Sequence, residues 1–127
     1  MLNVAVCDDM PILAEILVGL VEKYGRDNNC YIHVDSFQSG EDFLIKFNQN
    51  VSFYSLIFLD NKMKMDGLTG AQTAQIIRQV NSDCAIVFVT SDVHNYEFSL
   101  SAPLAILEKP AKQTEVYNIM DKVLKKE

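Results

Sequence analysis

Five polar residues stand at the ends of short apolar runs, and their types are those that phosphoryl transfer requires. Asp8 and Asp9 follow Leu2–Cys7, and Asp60 follows Ser55–Leu59. Thr90 follows Cys84–Val89, and Lys109 lies just beyond Leu104–Leu107. Carboxylates gathered at one place disfavour joint ionisation. A hard divalent cation bound through oxygen relieves that repulsion, and Mg2+ is the natural candidate. A carboxylate nucleophile, a cation, a hydroxyl and an ammonium are the parts needed to accept a phosphoryl group. The carboxylate attacks, the two cations neutralise the equatorial oxygens, and the hydroxyl donates a hydrogen bond. A loop built to cradle a nucleotide or flavin phosphate would be rich in Gly, Ser or Thr. The loop after Cys7 carries acids instead.

These residues meet only if the segments between them fold in a particular way. The apolar runs Leu2–Cys7, Tyr31–Phe37, Ser55–Leu59, Cys84–Val89 and Leu104–Leu107 read as strands. Between and after them lie helical patterns. Ile12–Tyr24 carries a stripe of Leu13, Ile16, Leu17, Leu20, Val21 and Tyr24, with Pro11 suited to its first turn. A second helix opens at Ser39-Gly40 and carries Phe43, Leu44 and Phe47. Leu68–Val80 is a third, with Thr69 and Gln72 spaced as a capping box. Val93–Leu100 is at best a short helix, ended by Pro103. Gln113–Lys125 closes the chain with Val116, Ile119, Met120, Val123 and Leu124 inward. Strict β-α alternation with right-handed crossovers predicts a flavodoxin-like doubly wound α/β fold. Its five parallel strands run in order 2-1-3-4-5, with five helices. The alternating second run belongs at an edge, and Cys84–Val89, the most hydrophobic, in the interior. Sites in such sheets lie beyond the carboxyl ends of the strands, where strand order reverses. Here that point falls between the first and third strands, which end in Asp8-Asp9 and Asp60.

The 127 residues suit one domain spanning 1–127, and 49% hydrophobic with 22% charged residues is ordinary for a globular protein. The charged tail Lys125-Lys126-Glu127 is either a natural end or a cut before another domain. A net charge of -6 argues against direct nucleic-acid binding. Cys7, Cys30 and Cys84 are odd in number and lack a CxxC pair, so reduced thiols in the cytoplasm are expected rather than disulfides or a thiolate metal site. There is no secretory signal, and no apolar run approaches the ~20 residues of a membrane span. His33 and His94 read as structural or surface residues.

Taken together, Asp8-Asp9, Leu59-Asp60 with Met63, Asp66 and Gly67 downstream, Thr90, and Lys109-Pro110 resemble the receiver domain of bacterial two-component response regulators. The likeness spans the whole chain. It implies that Asp60 is the phosphoacceptor for a sensor histidine kinase. It also implies that Asp9 and Asp60 bind Mg2+ directly, with Asp8 acting mostly through water and the Lys62 backbone carbonyl as a further ligand. Thr90 and Lys109 would hold the phosphoryl oxygens, and the Lys109-Pro110 peptide would be cis. Cys7-Asp8-Asp9 and Phe37-x-Ser39-Gly40-Glu41 resemble the subfamily that joins a receiver to a LytTR-type DNA-binding domain, hence a role in transcription regulation. The resemblance places kinase docking on the first helix and nearby loops. It places the output surface, toward an output domain or a second copy in a homodimer, on Val93–Leu100, Leu104–Leu107 and the last helix.

The chain departs from the pattern at two positions. Lys64 stands where receivers carry proline, and Ile106 where they carry the Tyr or Phe that swings inward with the threonine on phosphorylation. Tyr96 or Phe98 are the candidates to substitute for that aromatic. Glu108 beside Lys109 is also unusual, and alternation turns it away from the site. Lys62 and Asp92, each two residues beyond a site residue, are expected to approach across the mouth and tune phosphoryl lifetime.

Taken singly these residues have plainer readings. Asp8-Asp9 could cap a helix, Asp66-Gly67 a turn, Thr90 and Lys109 an ordinary surface. Their joint placement at strand ends outweighs that. A haloacid-dehalogenase-type phosphohydrolase would need an aspartate at position 62, where Lys62 stands. A flavodoxin-type carrier would need a phosphate loop. The remaining alternative is a phosphorylation-independent interaction module of the same fold, rather than an enzyme.

Overall fold

The computed structural model describes residues 1–125; Lys126 and Glu127, the end of the charged tail, lie outside the described residues. The elements run β1 Leu2–Cys7, α1 Pro11–Asp27, β2 Ile32–Phe37, α2 Gly40–Phe47, β3 Leu56–Leu59 and α3 Gly70–Val80. β4 Ala85–Thr90, a 3-10 helix Tyr96–Ser101, β5 Ala105–Glu108 and α4 Gln113–Leu124 follow. Among the described residues the sheet has five strands in the order β2-β1-β3-β4-β5. Every neighbouring pair is parallel. This is the expected fold, with β2 at one edge and β4 between β3 and β5.

Alternation along the strands builds two cores. Val4, Val6, Leu56, Phe58, Val87, Val89 and Leu107 point to one face, where they meet α1 and α4. Ala5, Cys7, Ile57, Leu59, Ile86 and Phe88 point to the other, packing with Phe43, Phe47, Ala71, Ala74, Ile77 and Phe98. Pro11 occupies the first turn of α1, as expected. Ser39 caps α2 by accepting from the Asp42 N–H at 3.0 Å. The Thr69/Gln72 capping box of α3 is formed in both directions, at 3.1 and 2.9 Å.

The α1 stripe differs from expectation in one residue. Its buried side is Ala14, Leu17, Val21, Tyr24 and Gly25, and Ile16 is 48% exposed. A 3.6-residue period centred on Leu17 and Val21 sets Ile16 off to the side, so hydrophobicity alone misplaced it. The fourth crossover is the other departure from regularity. Its helix is a six-residue 3-10 turn, capped by Asn95, whose side chain accepts from Glu97 N–H at 2.9 Å. So short a helix covers the adjacent face of β5 incompletely, leaving Leu104 and Ile106 more than a third exposed. Phe98 anchors it, fully buried and stacked on Phe88 with ring centroids 4.1 Å apart.

Among the described residues all three cysteines are free thiols; Cys7 and Cys84 are buried and Cys30 partly exposed. No helix among them is long and apolar enough to cross a membrane. His33 pairs with Asp35 at 2.8 Å on β2, whose other oxygen accepts from Tyr54 Oη at 2.5 Å. His94 is exposed.

Candidate functional site

The parallel register of β1 and β3 brings Cys7 beside Leu59, so the residues that follow emerge side by side. The Asp60 N–H donates to the Cys7 carbonyl at 3.0 Å, continuing the ladder one residue past the strand. Asp8 and Asp60 are both buried, and Asp9 is exposed beside them. Carboxylate oxygens of Asp8, Asp9 and Asp60 all lie within 4.8 Å of one another. Asp8 does not cap α1. The N-cap residue is Met10, which has no side-chain cap bond. Asp8 Oδ1 instead accepts from the Met10 N–H at 2.9 Å, fixing the turn that presents the carboxylate.

β4 and β5 deliver the other two groups. Lys109 N–H donates to the Thr90 carbonyl at 3.0 Å, so the two strand ends stay paired up to the site. The Lys109-Pro110 peptide is cis, as expected. Lys109 Nζ lies 2.7 Å from Asp60 Oδ2 and 3.0 Å from Asp8 Oδ2. Asp60 Oδ1 accepts from the Asn61 N–H at 2.7 Å. Thr90 is buried, and its Oγ1 accepts from the Asp92 N–H at 3.1 Å, which leaves its own proton available to donate.

Electrostatics follow from this geometry. Burial pushes the Asp60 carboxyl above the ordinary carboxylate range; the Lys109 ammonium pulls it down without cancelling the effect, and Asp8 adds to the rise. Burial also pulls Lys109 down, but its bonds to Asp60 and Asp8 outweigh that and hold it above the usual lysine value. Repulsion between carboxylates, the expected source of perturbation, is therefore secondary to desolvation.

Asp8, Asp9, Asp60, Thr90 and Lys109 all lie at carboxyl ends of adjacent strands. Lys62 lies two residues beyond Asp60, its side chain exposed. Among the described residues no ion pair joins Lys62 and Asp92, and the Asp92 backbone N–H donates to Thr90 Oγ1. Glu108 is exposed, as alternation requires. Tyr96 is 81% exposed, whereas Phe98 is buried against Phe88.

Sequence reasoning missed two supports. Asn61 is buried; its Oδ1 accepts from Ala71 N–H at 3.1 Å and its carbonyl from Gly70 N–H at 2.8 Å, tying the Asp60 strand end to the start of α3. Glu41 reaches from α2 to the Leu68 N–H at 2.8 Å. The Ser39-Gly40-Glu41 stretch was the only signal of the latter. A cavity of about 730 Å³, lined by Ser52, Tyr54, Asn81, Cys84 and Lys122, lies at the amino end of the sheet, away from these groups.

Comparison with known proteins bears on this arrangement. The family model for the response regulator receiver domain matches residues 4–121. A two-component response regulator from Clostridium difficile is similar at 24% identity and TM-score 0.83, covering 99% of this chain and 98% of that one. The N-terminal domain of a three-domain response regulator/sensory box/GGDEF protein from Carboxydothermus hydrogenoformans is similar at 21% identity and TM-score 0.81, covering 97% and 94%. A Thermotoga maritima response regulator, solved in complex with Mg2+ and BeF, is 27% identical with TM-score 0.78, covering 97% and 99%. No curated protein matches the sequence.

Proposed function

Since this chain belongs to the response regulator receiver family, we propose that it accepts a phosphoryl group on Asp60 from a sensor histidine kinase and thereby switches an output surface. The observation that carries this reading is the placement of Lys109 Nζ within 3.0 Å of both Asp60 and Asp8, on a strand end whose backbone pairs with that of the buried Thr90.

Mg2+ fits the residues present. Asp8, Asp9 and Asp60 offer hard oxygen donors within 4.8 Å of one another, the chemistry that this ion prefers. Asp9 and Asp60 would hold it directly, Asp8 mostly through water, and the Lys62 backbone carbonyl would add a ligand. Bound there, the ion supplies positive charge to the oxygens of the transferring group.

Asp60 carries the covalent step. A carboxylate oxygen attacks phosphorus as the bond from phosphorus to the donor breaks, and the electron pair leaves with the donor's phosphohistidine nitrogen. The product is an acyl phosphate on Asp60. Lys109 remains protonated and pairs with a phosphoryl oxygen in place of the carboxylate charge it held before. Thr90 donates its hydroxyl proton to a second oxygen. The Asn61 N–H, already 2.7 Å from Asp60 Oδ1, holds the carboxylate in position. The chain catalyses only its own phosphorylation and dephosphorylation.

The LytTR-like features around Cys7-Asp8-Asp9 and Ser39-Gly40-Glu41 favour a DNA-binding output partner, with the chain itself, at net charge -6, leaving nucleic acid to that partner. The site and its surroundings would form one domain over 1–127, acting in the bacterial cytoplasm.

Ile106 favours a second reading. It is 38% exposed at the position of the usual switch aromatic, so an interaction module that binds partners without phosphorylation is the alternative.

Intact mass after incubation with acetyl phosphate and Mg2+ separates the two. A metal-dependent phosphoryl adduct on the parent and none on Asp60→Asn supports the phosphoacceptor reading. No adduct from either acetyl phosphate or kinase supports the interaction module.

A further inference from the structure

The loop between β3 and α3 is tied at both ends but spans several residues between. At its start Asn61 holds it through Gly70 and Ala71. In its middle, Lys64 carbonyl accepts from Gly67 N–H at 3.0 Å, and Asp66 takes a left-handed φ of 61°, so 64–67 form a tight turn. Met63 packs into the core ahead of that turn, but among the described residues no hydrogen bond of the loop's own joins residues 64–67 to the body of the domain. The tie comes from α2. Glu41 Oε2 accepts from the Leu68 N–H at 2.8 Å, one residue past the turn. A Cβ on Gly67 would meet Glu41 Oε2 at 2.9 Å and Oε1 at 3.2 Å, so the carboxylate lies flat against the glycine backbone. Glu41 Oε1 is itself buried, and among the described residues no group donates to it. A carboxylate oxygen left without a donor costs free energy. The Leu68 N–H nonetheless holds the Glu41 carboxyl below the usual carboxylate range, so the group stays charged in its contact with the loop.

Resting on the Mg2+ reading of the site, we infer that Glu41 is a positioning residue: from α2 it clamps the β3–α3 loop through Leu68 and Gly67, and so sets where the Lys62 backbone carbonyl stands relative to Asp60. Its action is indirect, through the six residues 62–67 between the ties at Asn61 and at Leu68. The hydrogen bond is the working part of the clamp: an amide oxygen at position 41 can still accept from Leu68, though more weakly than the carboxylate.

The test measures Mg2+ binding directly, by titration calorimetry with MgCl2, on the parent, Glu41→Ala, Glu41→Gln and the exposed neighbour Asp42→Ala. Hydrogen exchange of the Leu68 amide is followed alongside. Glu41→Ala is expected to weaken Mg2+ binding roughly tenfold, as loss of an outer support does at metal sites, and to speed Leu68 exchange. Glu41→Gln and Asp42→Ala are expected to bind within about twofold of the parent, since both keep the clamp. Equal affinity in folded Glu41→Ala and parent would overturn the role of Glu41 while leaving the metal site standing. A parent that binds no Mg2+ would overturn the metal reading and this role with it. Should Glu41→Ala not fold, Gly67→Ala, which presses on the same carboxylate, carries the comparison, and an unchanged affinity there equally rejects the clamp.

Discussion

Lys109 Nζ stands 2.7 Å from Asp60 Oδ2, an ion pair between the ends of two strands that do not touch, with β4 between them. The contact needs the long reach of lysine across one intervening strand, and both side chains are largely buried when it forms. The pair thus reports on the sheet order as well as on the chemistry.

Lys109→Ala would leave Asp60 buried without its cation. Loss of one partner of a buried pair costs more than the pair contributes. A destabilisation of about 1–3 kcal/mol at neutral pH is expected, because an unsatisfied buried acceptor costs that much. Burial already raises Asp60, so the variant can recover by taking up a proton. Stability of the variant relative to the parent therefore rises as the pH falls. Urea unfolding at pH 7 and pH 5 checks both the size and the sign.

Phe98, not Tyr96, is the aromatic that holds the 3-10 helix. Phe98→Ala removes a fully buried ring stacked on Phe88 and is expected to cost about 3–5 kcal/mol. Tyr96→Ala, at an exposed position, is expected to change stability by less than about 0.5 kcal/mol. Denaturant midpoints of the two variants measure the contrast.

Gly70 is required by close approach. A Cβ there would lie 2.2 Å from the Asp60 carbonyl oxygen, a backbone atom that cannot swing aside. Gly70→Ala is expected to destabilise by about 1–3 kcal/mol, as overpacking does. It should also slow phosphoryl acceptance from acetyl phosphate, because the atom displaced belongs to the acceptor residue. Retained phosphorylation kinetics would show that the loop yields without moving Asp60.

Stability should fall on the alkaline side. Burial, and next the bond to Asp121, push Tyr24 from its ordinary 10 up to about 12. The folded state thus holds this proton more tightly than the unfolded chain. The contribution is complete below pH 10 and is lost as pH rises through 12. Burial raises Tyr54 and Cys7 in the same direction. Urea midpoints between pH 8 and pH 11.5 should decline, and less steeply in Tyr24→Phe.

Most of the sheet was legible because each strand is a short apolar run and each helix a 3.6-residue pattern, and the two periods rarely mimic each other. The five site residues were legible for a related reason: each ends a strand, and parallel topology collects strand ends. What failed was longer in range or finer in angle. Ile16 is apolar but lies beside the packing stripe. The Glu41–Leu68 bond joins residues 27 apart through a backbone N–H, which carries no side-chain signature. Ser55 and Cys84 were placed in strands that begin one residue later, within the usual fraying of element ends.

The unequal burial of the three thiols makes the chain a ready object for site-specific labelling. The thiolate is the reactive form, and burial suppresses it at Cys7 and Cys84. Cys30, partly exposed just before β2, belongs to the amino end of the sheet, away from the carboxylates. A maleimide dye is therefore expected to attach at Cys30, away from the acidic cluster, so that the chain carries its own reporter; intact mass after labelling checks that one dye is added.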